Sequence, residues 1–401
     1  MILPVLVEQQ VRTTAVLASR ARHTLAELVR AEAVKKDGKF FWGQWLDTAR
    51  NHDQKGVYGT SAAIELLVSN GDNPATEPIL SALAGLPVSG TGNTYASEDS
   101  DLVFKVAAIV HACAEACGPL EINHPAVQRL IGMRVSDRGW CGYSAARARE
   151  GVPVPEVTPT AYALRALSKV PQWHAMSECK TSLLWLSERL HVGSPDDVAD
   201  SLGLLALNSY LDIGSDDPKW QEGRRAAQHR VLELIGKQRN AVTVSRYHYP
   251  VDMTGPEDKY MYFPSAIVGA LGVLLGERSR PVPGGPQVVR LVNSLALSTL
   301  EGRGFRHEKR IATVDQLWVD RLFNAFIIAA DNPARMLSRA ADVLLAHKRR
   351  WLVIPVLSTT VWTGTALATG QALTSVQVAG GVASGLAANV LASVLVSRGS
   401  D

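Results

Sequence analysis

The chain is poor in several features that mark common protein classes. Its 401 residues include only four cysteines, Cys113, Cys117, Cys141 and Cys179. They are too few and too scattered for a disulfide framework, so a reducing compartment is the expectation. Phe, Trp and Tyr together make up 6%, a thin supply for an aromatic-lined cavity. The formal net charge is +3, and no basic stripe is interleaved with aromatics, so no nucleic-acid partner is expected. Period-2 alternation of any length is missing, which excludes a substantial sheet. The opening "MILPVLVEQQ" has no basic residue and its apolar run stops at Glu8, unlike a signal peptide.

The longest absence is at the other end. From Trp351 to Ser397 there is no Asp, Glu, Lys or Arg. A stretch of that length at ordinary charge density would hold about nine. It divides at "GQALTS" (370–375) into two segments of about bilayer length for a helix. The preceding "HKRR" (347–350) and Arg398 predict a two-helix transmembrane hairpin with both ends in the cytoplasm. The expected location is therefore the cell membrane, with the preceding domain on its cytoplasmic side. Within the hairpin, Gly381 and Gly385 have the spacing that lets membrane helices approach closely, a route to oligomers.

What the chain has in quantity is apolar helix. Hydrophobic residues make up 46%. "TPTAYALRAL" (158–167) begins with a capping threonine and a proline and then carries a single charge, Arg165. A short helix apolar nearly all round is buried all round. Five other stretches share this form: "GTSAAIELLV" (59–68), "SEDSDLVFKVAAIVHACA" (97–114), "SPDDVADSLGLLALNSY" (194–210), "FPSAIVGALGVLLG" (263–276) and "TVDQLWVDRLFNAFIIAA" (313–330). Between them lie amphipathic stretches such as "PAVQRLIGMRV" and "RRAAQHRVLELIGKQ", suited to a surface position. Alternating inner and outer helices predict an all-α fold, an α/α toroid of six inner and six outer helices over residues 1–345. Residues 346–401 supply a basic flank and the hairpin.

The third unit, "DRGWCGYSAARAREGVPVPEVTPTAYALRAL", resembles the repeat of the terpenoid-cyclase and protein-prenyltransferase superfamily. Trp140 and Gly142 sit in its glycine–aromatic–glycine loop. Thr160, Ala161, Ala163, Leu164 and Leu167 sit in its helix. The first unit, "KGVYGTSAAIELL", is a shorter version. The resemblance implies that the inner-helix starts face one mouth of a central cavity. Chemistry is then expected among the residues at those starts.

Three constellations stand there. Asp196, Asp197 and Asp200 form "DDVAD", the DDxxD pattern by which some terpene synthases hold magnesium and a diphosphate; one helical turn brings Asp196 and Asp200 to one face. The same residues read equally as a helix start, with acids favoured by the dipole. Asp99 and Asp101, with Glu98, give a DxD where toroidal cyclases that protonate an alkene carry DxDD. Asp315 is a further acid at an inner start. These three aspartates are the candidate catalytic acids, and helix capping is their ordinary reading. Tyr58, Trp140, Tyr143, Tyr262 and Trp318 cluster near helix starts, beside Tyr260 and Phe263, and are candidates to line an apolar pocket. Magnesium is the cofactor the aspartates suit. Zinc has less behind it: His111, Cys113 and Cys117 are explained as core residues, and Cys141 with His248 or His307 is untested by spacing.

Without a complete DxDD or zinc triad, the sequence favours a membrane-anchored toroid that binds a ligand. It would act as a sensor or scaffold with the hairpin as effector, as in bacterial defence or stress modules. The alternative is an enzyme acting on an isoprenoid or other lipid-like substrate. The expected partners are membrane lipid and an apolar small molecule or a protein.

Overall fold

A computed structural model describes residues 2–36, 39–43, 56–72, 103–142, 154–193, 197–214, 216–237, 246–248, 260–262, 266–276, 282, 285–301, 306–307, 310–311 and 313–336. In chain order the helices are α1 (Ile2–Ala31), α2 (Val57–Ser69), α3 (Val103–Cys117), α4 (Pro125–Gly132), α5 (Val157–Leu167), α6 (Pro171–His174), α7 (Ser177–Val192), α8 (Asp197–Asn208), α9 (Leu211–Gly214), α10 (Pro218–Lys237), α11 (Ala266–Gly276), α12 (Gly285–Leu300) and α13 (Thr313–Ala330). Three antiparallel hairpins interrupt them: β1 (Val34–Lys36) with β2 (Lys39–Phe41), β3 (Arg246–His248) with β4 (Tyr260–Tyr262), and β5 (Arg306–His307) with β6 (Arg310–Ile311). Each pair leads into an inner helix, and no larger sheet occurs among the described residues.

Six helices close a ring. α2 packs on α3, α3 on α5, α5 on α8, α8 on α11, α11 on α13, and α13 returns to α2. The amphipathic helices stand outside: α1 against α12 and α13, α4 against α3, α7 against α5 and α10, and α10 against α7 and α8. The apolar, small-residue sequences of the inner helices are what permits this. In α5 every residue from Thr158 to Leu167 is buried, as a helix packed on all sides requires. Gly71 and Gly118, at φ +85° and +90°, end α2 and α3 in the left-handed conformation that costs glycine nothing.

A repeated clamp fixes inner helix to outer helix. Thr60 Oγ1 accepts a hydrogen bond from Trp42 N (3.1 Å) and donates to Trp42 O (3.0 Å), while the Trp42 indole N–H reaches Val29 O at the end of α1 (2.7 Å). Thr160 repeats this on Trp140 at 3.0 and 3.2 Å, and the Trp140 indole N–H reaches Leu130 O of α4 at 2.7 Å. A Cβ on Gly139 would lie 2.4 Å from Thr160 Oγ1, so the clamp needs that glycine. The helix itself starts at Val157, one residue before the expected cap, and no side chain caps it. Its threonine that matters is Thr160, whose hydroxyl is spent on Trp140.

Ring closure is sealed by Asp320 of α13, which is wholly buried. It receives Arg22 of α1 (2.8 Å), Ser69 Oγ (2.8 Å) and Asn70 Nδ2 (3.1 Å) from the end of α2.

The expected membrane hairpin lies outside the described residues. Among the described residues, no helix is long and apolar enough to cross a membrane.

Candidate functional site

In four of the six inner helices, the residue eight places after the first is charged or titratable: Glu65 of α2, His111 of α3, Arg165 of α5 and Arg321 of α13. In α8 and α11 the same place holds the buried leucines Leu205 and Leu274. Because the inner helices run side by side, this shared offset becomes a layer in space. His111 Nδ1 lies 3.0 Å from Glu65 Oε2, and Arg321 Nη2 lies 2.7 Å from the same oxygen. Arg165 extends from α5 to Trp318 on α13, its guanidinium carbon 6.0 Å from the ring centroid. These two helices stand opposite one another in the ring, so the two side chains meet across the axis.

One turn further along α3, Glu115 extends the layer. It pairs with Lys169 at 2.9 Å and lies 3.7 Å from Arg321 and 3.8 Å from His111 Nε2. Exposure grades along this path, from Glu65 (6%) to Glu115 and Arg321 (about a third) and Lys169 (41%).

Burial sets the protonation states. It would by itself raise Glu65, but His111 and Arg321 beside it hold the carboxyl down at about 2. Burial pushes His111 down to about 4, against the pull of Glu65. Burial, then the like charge of Arg321, lowers Arg165 to about 10, so it remains a cation at neutral pH. Burial lifts the Tyr162 phenol, which also feels Arg165 and Glu65, to about 12. At neutral pH the layer therefore contains two carboxylates, three cations and a neutral imidazole.

The residues singled out in the sequence fall in different places. Trp318 is at the layer, beside Arg165. Trp140 is wholly buried and belongs to the clamp. Tyr58 is half-buried on α2. Asp200 is buried and held by Arg230 of α10 through two bonds of 2.7 Å, while Arg230 also donates to Leu190 O. That arginine ties α8 to α10 and α7, and occupies the carboxylate that was read as a magnesium ligand. Asp197 and Asp315 lie in the first turns of α8 and α13, and Tyr262 in β4. Asp99, Asp101, Tyr143 and Asp196 lie outside the described residues. Among the described residues no three His, Cys, Asp or Glu side chains form a metal-binding group.

His111 was read as a core histidine and Arg165 as an isolated charge. The missing signal was the offset: registering the helices on their first residues puts Glu65, His111, Arg165 and Arg321 at one level.

No known family's profile matches the chain, and no curated protein does. Among solved structures, a family 76 glycoside hydrolase from a bovine Bacteroides thetaiotaomicron strain is similar at 10% identity and a TM-score of 0.43, over 78% of this chain and 77% of that one. At that level it carries neither activity nor substrate to this chain. The resemblance to terpenoid-cyclase and prenyltransferase repeats is corrected by these comparisons: the structural likeness found is to a glycosidase, and no family profile supports the cyclase repeat. The physical reason lies in the motif. Ala161, Ala163, Leu164 and Leu167 are buried packing residues, and Thr160 holds the Trp140 backbone. The string encodes how an inner helix packs, not what chemistry the ring performs.

Proposed function

We propose that the ring is a ligand-binding module whose ligand engages the central charged layer. The observation that carries this is the convergence of Glu65, His111, Arg165 and Arg321 from four helices into one largely buried layer. Buried charge is a weak source of stability, and an apolar layer of similar volume would serve folding at least as well. Leu205 and Leu274 show that this place in an inner helix accepts leucine.

In the same reading residues 1–345 form the sensing or scaffold domain, and 346–401 form the membrane hairpin that transmits the response. What supports the hairpin is the charge-free stretch Trp351–Ser397 after "HKRR"; its partners would be lipid and further copies of itself. The test compares the full chain with a chain ending at Ala346 by fractionation, and identifies by mass spectrometry what co-purifies with each. Retention of the full chain alone in the membrane fraction, with a small molecule bound to both, is the expected result. Equal detergent-free solubility would remove the hairpin. Absence of any retained or titratable ligand would remove the binding role.

A second reading, an enzyme, is favoured by one observation. His111 is neutral at neutral pH and lies between two carboxylates, 3.0 Å from Glu65 and 3.8 Å from Glu115, an arrangement suited to moving a proton. Turnover of the co-purified molecule that disappears in His111→Gln, with its binding retained, would establish it.

A further inference from the structure

The carboxylates of the central layer are already satisfied. Glu65 has Arg321 and His111, and Glu115 has Lys169. Arg165 is different. It is 8% exposed, and among the described residues no carboxylate lies within ion-pair distance of it; Glu65 and Glu115 attract it from farther off, and the face of Trp318 lies 6.0 Å from its guanidinium carbon. A guanidinium offers five donors in a rigid fork matched to carboxylate and phosphate oxygens. A largely buried guanidinium beside a second one is costly where its counter-charges lie beyond ion-pair distance.

A second observation stands one helical turn earlier. Ser61 of α2 and Ser201 of α8 are buried at 1% and 0%, and neither hydroxyl has a hydrogen-bond partner among the described residues. Neither makes the bond to its own preceding turn that a helical serine ordinarily makes. Each is four residues before the layer position of its helix (Glu65 and Leu205), hence on the same helix face. In the ring order α2 and α8 stand opposite one another, as α5 and α13 do. Two orphan hydroxyls thus stand on one diameter, and on another the Arg165 guanidinium meets Trp318 with no ion-paired carboxylate among the described residues.

We infer that the ring binds a small oxyanion, the carboxylate or phosphate group of its ligand, on Arg165 at the axis, with Ser61 and Ser201 as flanking donors. This rests on the ligand-binding reading and names the chemical class of the ligand. The anion supplies Arg165 with a counter-charge within ion-pair distance, and the hydroxyls gain the acceptors they are missing. The face of Trp318 keeps the guanidinium extended across the axis, since a cation over an indole is favourable even without a counter-ion.

The test uses the full chain in chloride buffer, titrated at constant ionic strength with sodium acetate in one arm and inorganic phosphate in another. Thermal midpoint and calorimetric binding are the readouts. Wild type is expected to show a saturable rise of several degrees with at least one probe as the site fills. The arm that responds assigns the group as carboxylate or phosphate. Arg165→Leu should abolish the response while melting no lower than wild type in chloride, because it removes a buried charge that has no ion-pair partner among the described residues. Arg165→Lys keeps the charge but loses the fork, and should bind at least about tenfold more weakly. Ser61→Ala with Ser201→Ala should weaken binding severalfold at nearly unchanged midpoint in chloride. Should Arg165→Leu fail to fold, the lysine variant decides: wild-type affinity there overturns the inference. So does a wild type indifferent to both probes, or an Arg165→Leu that responds as wild type does. A neutral molecule co-purifying with a chain that ignores both anions would overturn the oxyanion and leave the binding module standing.

Discussion

Asp320 and Arg321 are adjacent on α13, yet they belong to two regions that treat buried charge in opposite ways. Asp320 is ringed by donors from α1 and the end of α2, every contact tying one helix to another. Arg321 turns to the axis, where the charges of four helices meet and Arg165 has no ion-paired carboxylate among the described residues. A saturated buried carboxylate makes sense as structure alone. A buried cation without an ion-paired carboxylate makes less, because carboxylates farther off offset only part of its desolvation cost. The comparison separates the residues that hold the ring closed from those of the axial layer, which the proposed ligand would engage.

The largest effect is expected at the seal. Asp320→Ala leaves Arg22 without its carboxylate and breaks the joint between the last and first inner helices. It should cost about 3–5 kcal/mol, measured by denaturant unfolding, with oxyanion affinity unchanged in the fraction that folds. A loss below about 1 kcal/mol would show that the two regions do not differ as described.

Acid should act on the axis through His111 and Glu65. His111 titrates at about 4 in the fold against 6.5 when free, so the unfolded chain binds more protons between those values. Stability therefore falls as pH drops from 6.5 toward 4. Glu65, held at about 2 against 4.5, contributes stability present above 4.5 and lost as pH falls toward 2. Thermal midpoints followed against pH should show both steps, and His111→Gln should erase the upper one alone. An unaltered profile in that variant would mean that the imidazole is not held neutral by burial.

A smaller effect compares the two clamps. Thr60→Ala and Thr160→Ala each leave a buried backbone N–H of Trp42 or Trp140 unsatisfied, and each should cost about 1–3 kcal/mol. Equal losses would confirm that the units are structural repeats, whereas a silent Thr60→Ala would restrict the clamp to the third unit. The smallest change is Lys169→Met. Its bond to Glu115 is partly open to water, so a loss of about 0–1 kcal/mol is expected.

Much of the ring was legible beforehand. The stretch "TPTAYALRAL" showed by its composition that it is buried on every side, and α5 is. The alternation of apolar and amphipathic segments gave inner and outer helices. The charged layer was not legible, because Glu65 and Arg321 are 256 residues apart and each looks like a single charge on its own helix. The aspartates of "DDVAD" showed the converse: their spacing suggested a shared ligand, but Arg230, thirty residues on, had already claimed Asp200.

The amino-acid sequence alone determined that this chain is helical, which helices are enclosed, and that its last fifty residues carry almost no charge. These follow from periodicity and composition, which act locally. Only the tertiary structure decided which charges meet. Pairing depends on which helices become neighbours when the ring closes, and on which carboxylates are already occupied. That is why Asp320 ended in a seal and Arg321, one residue later, at the centre.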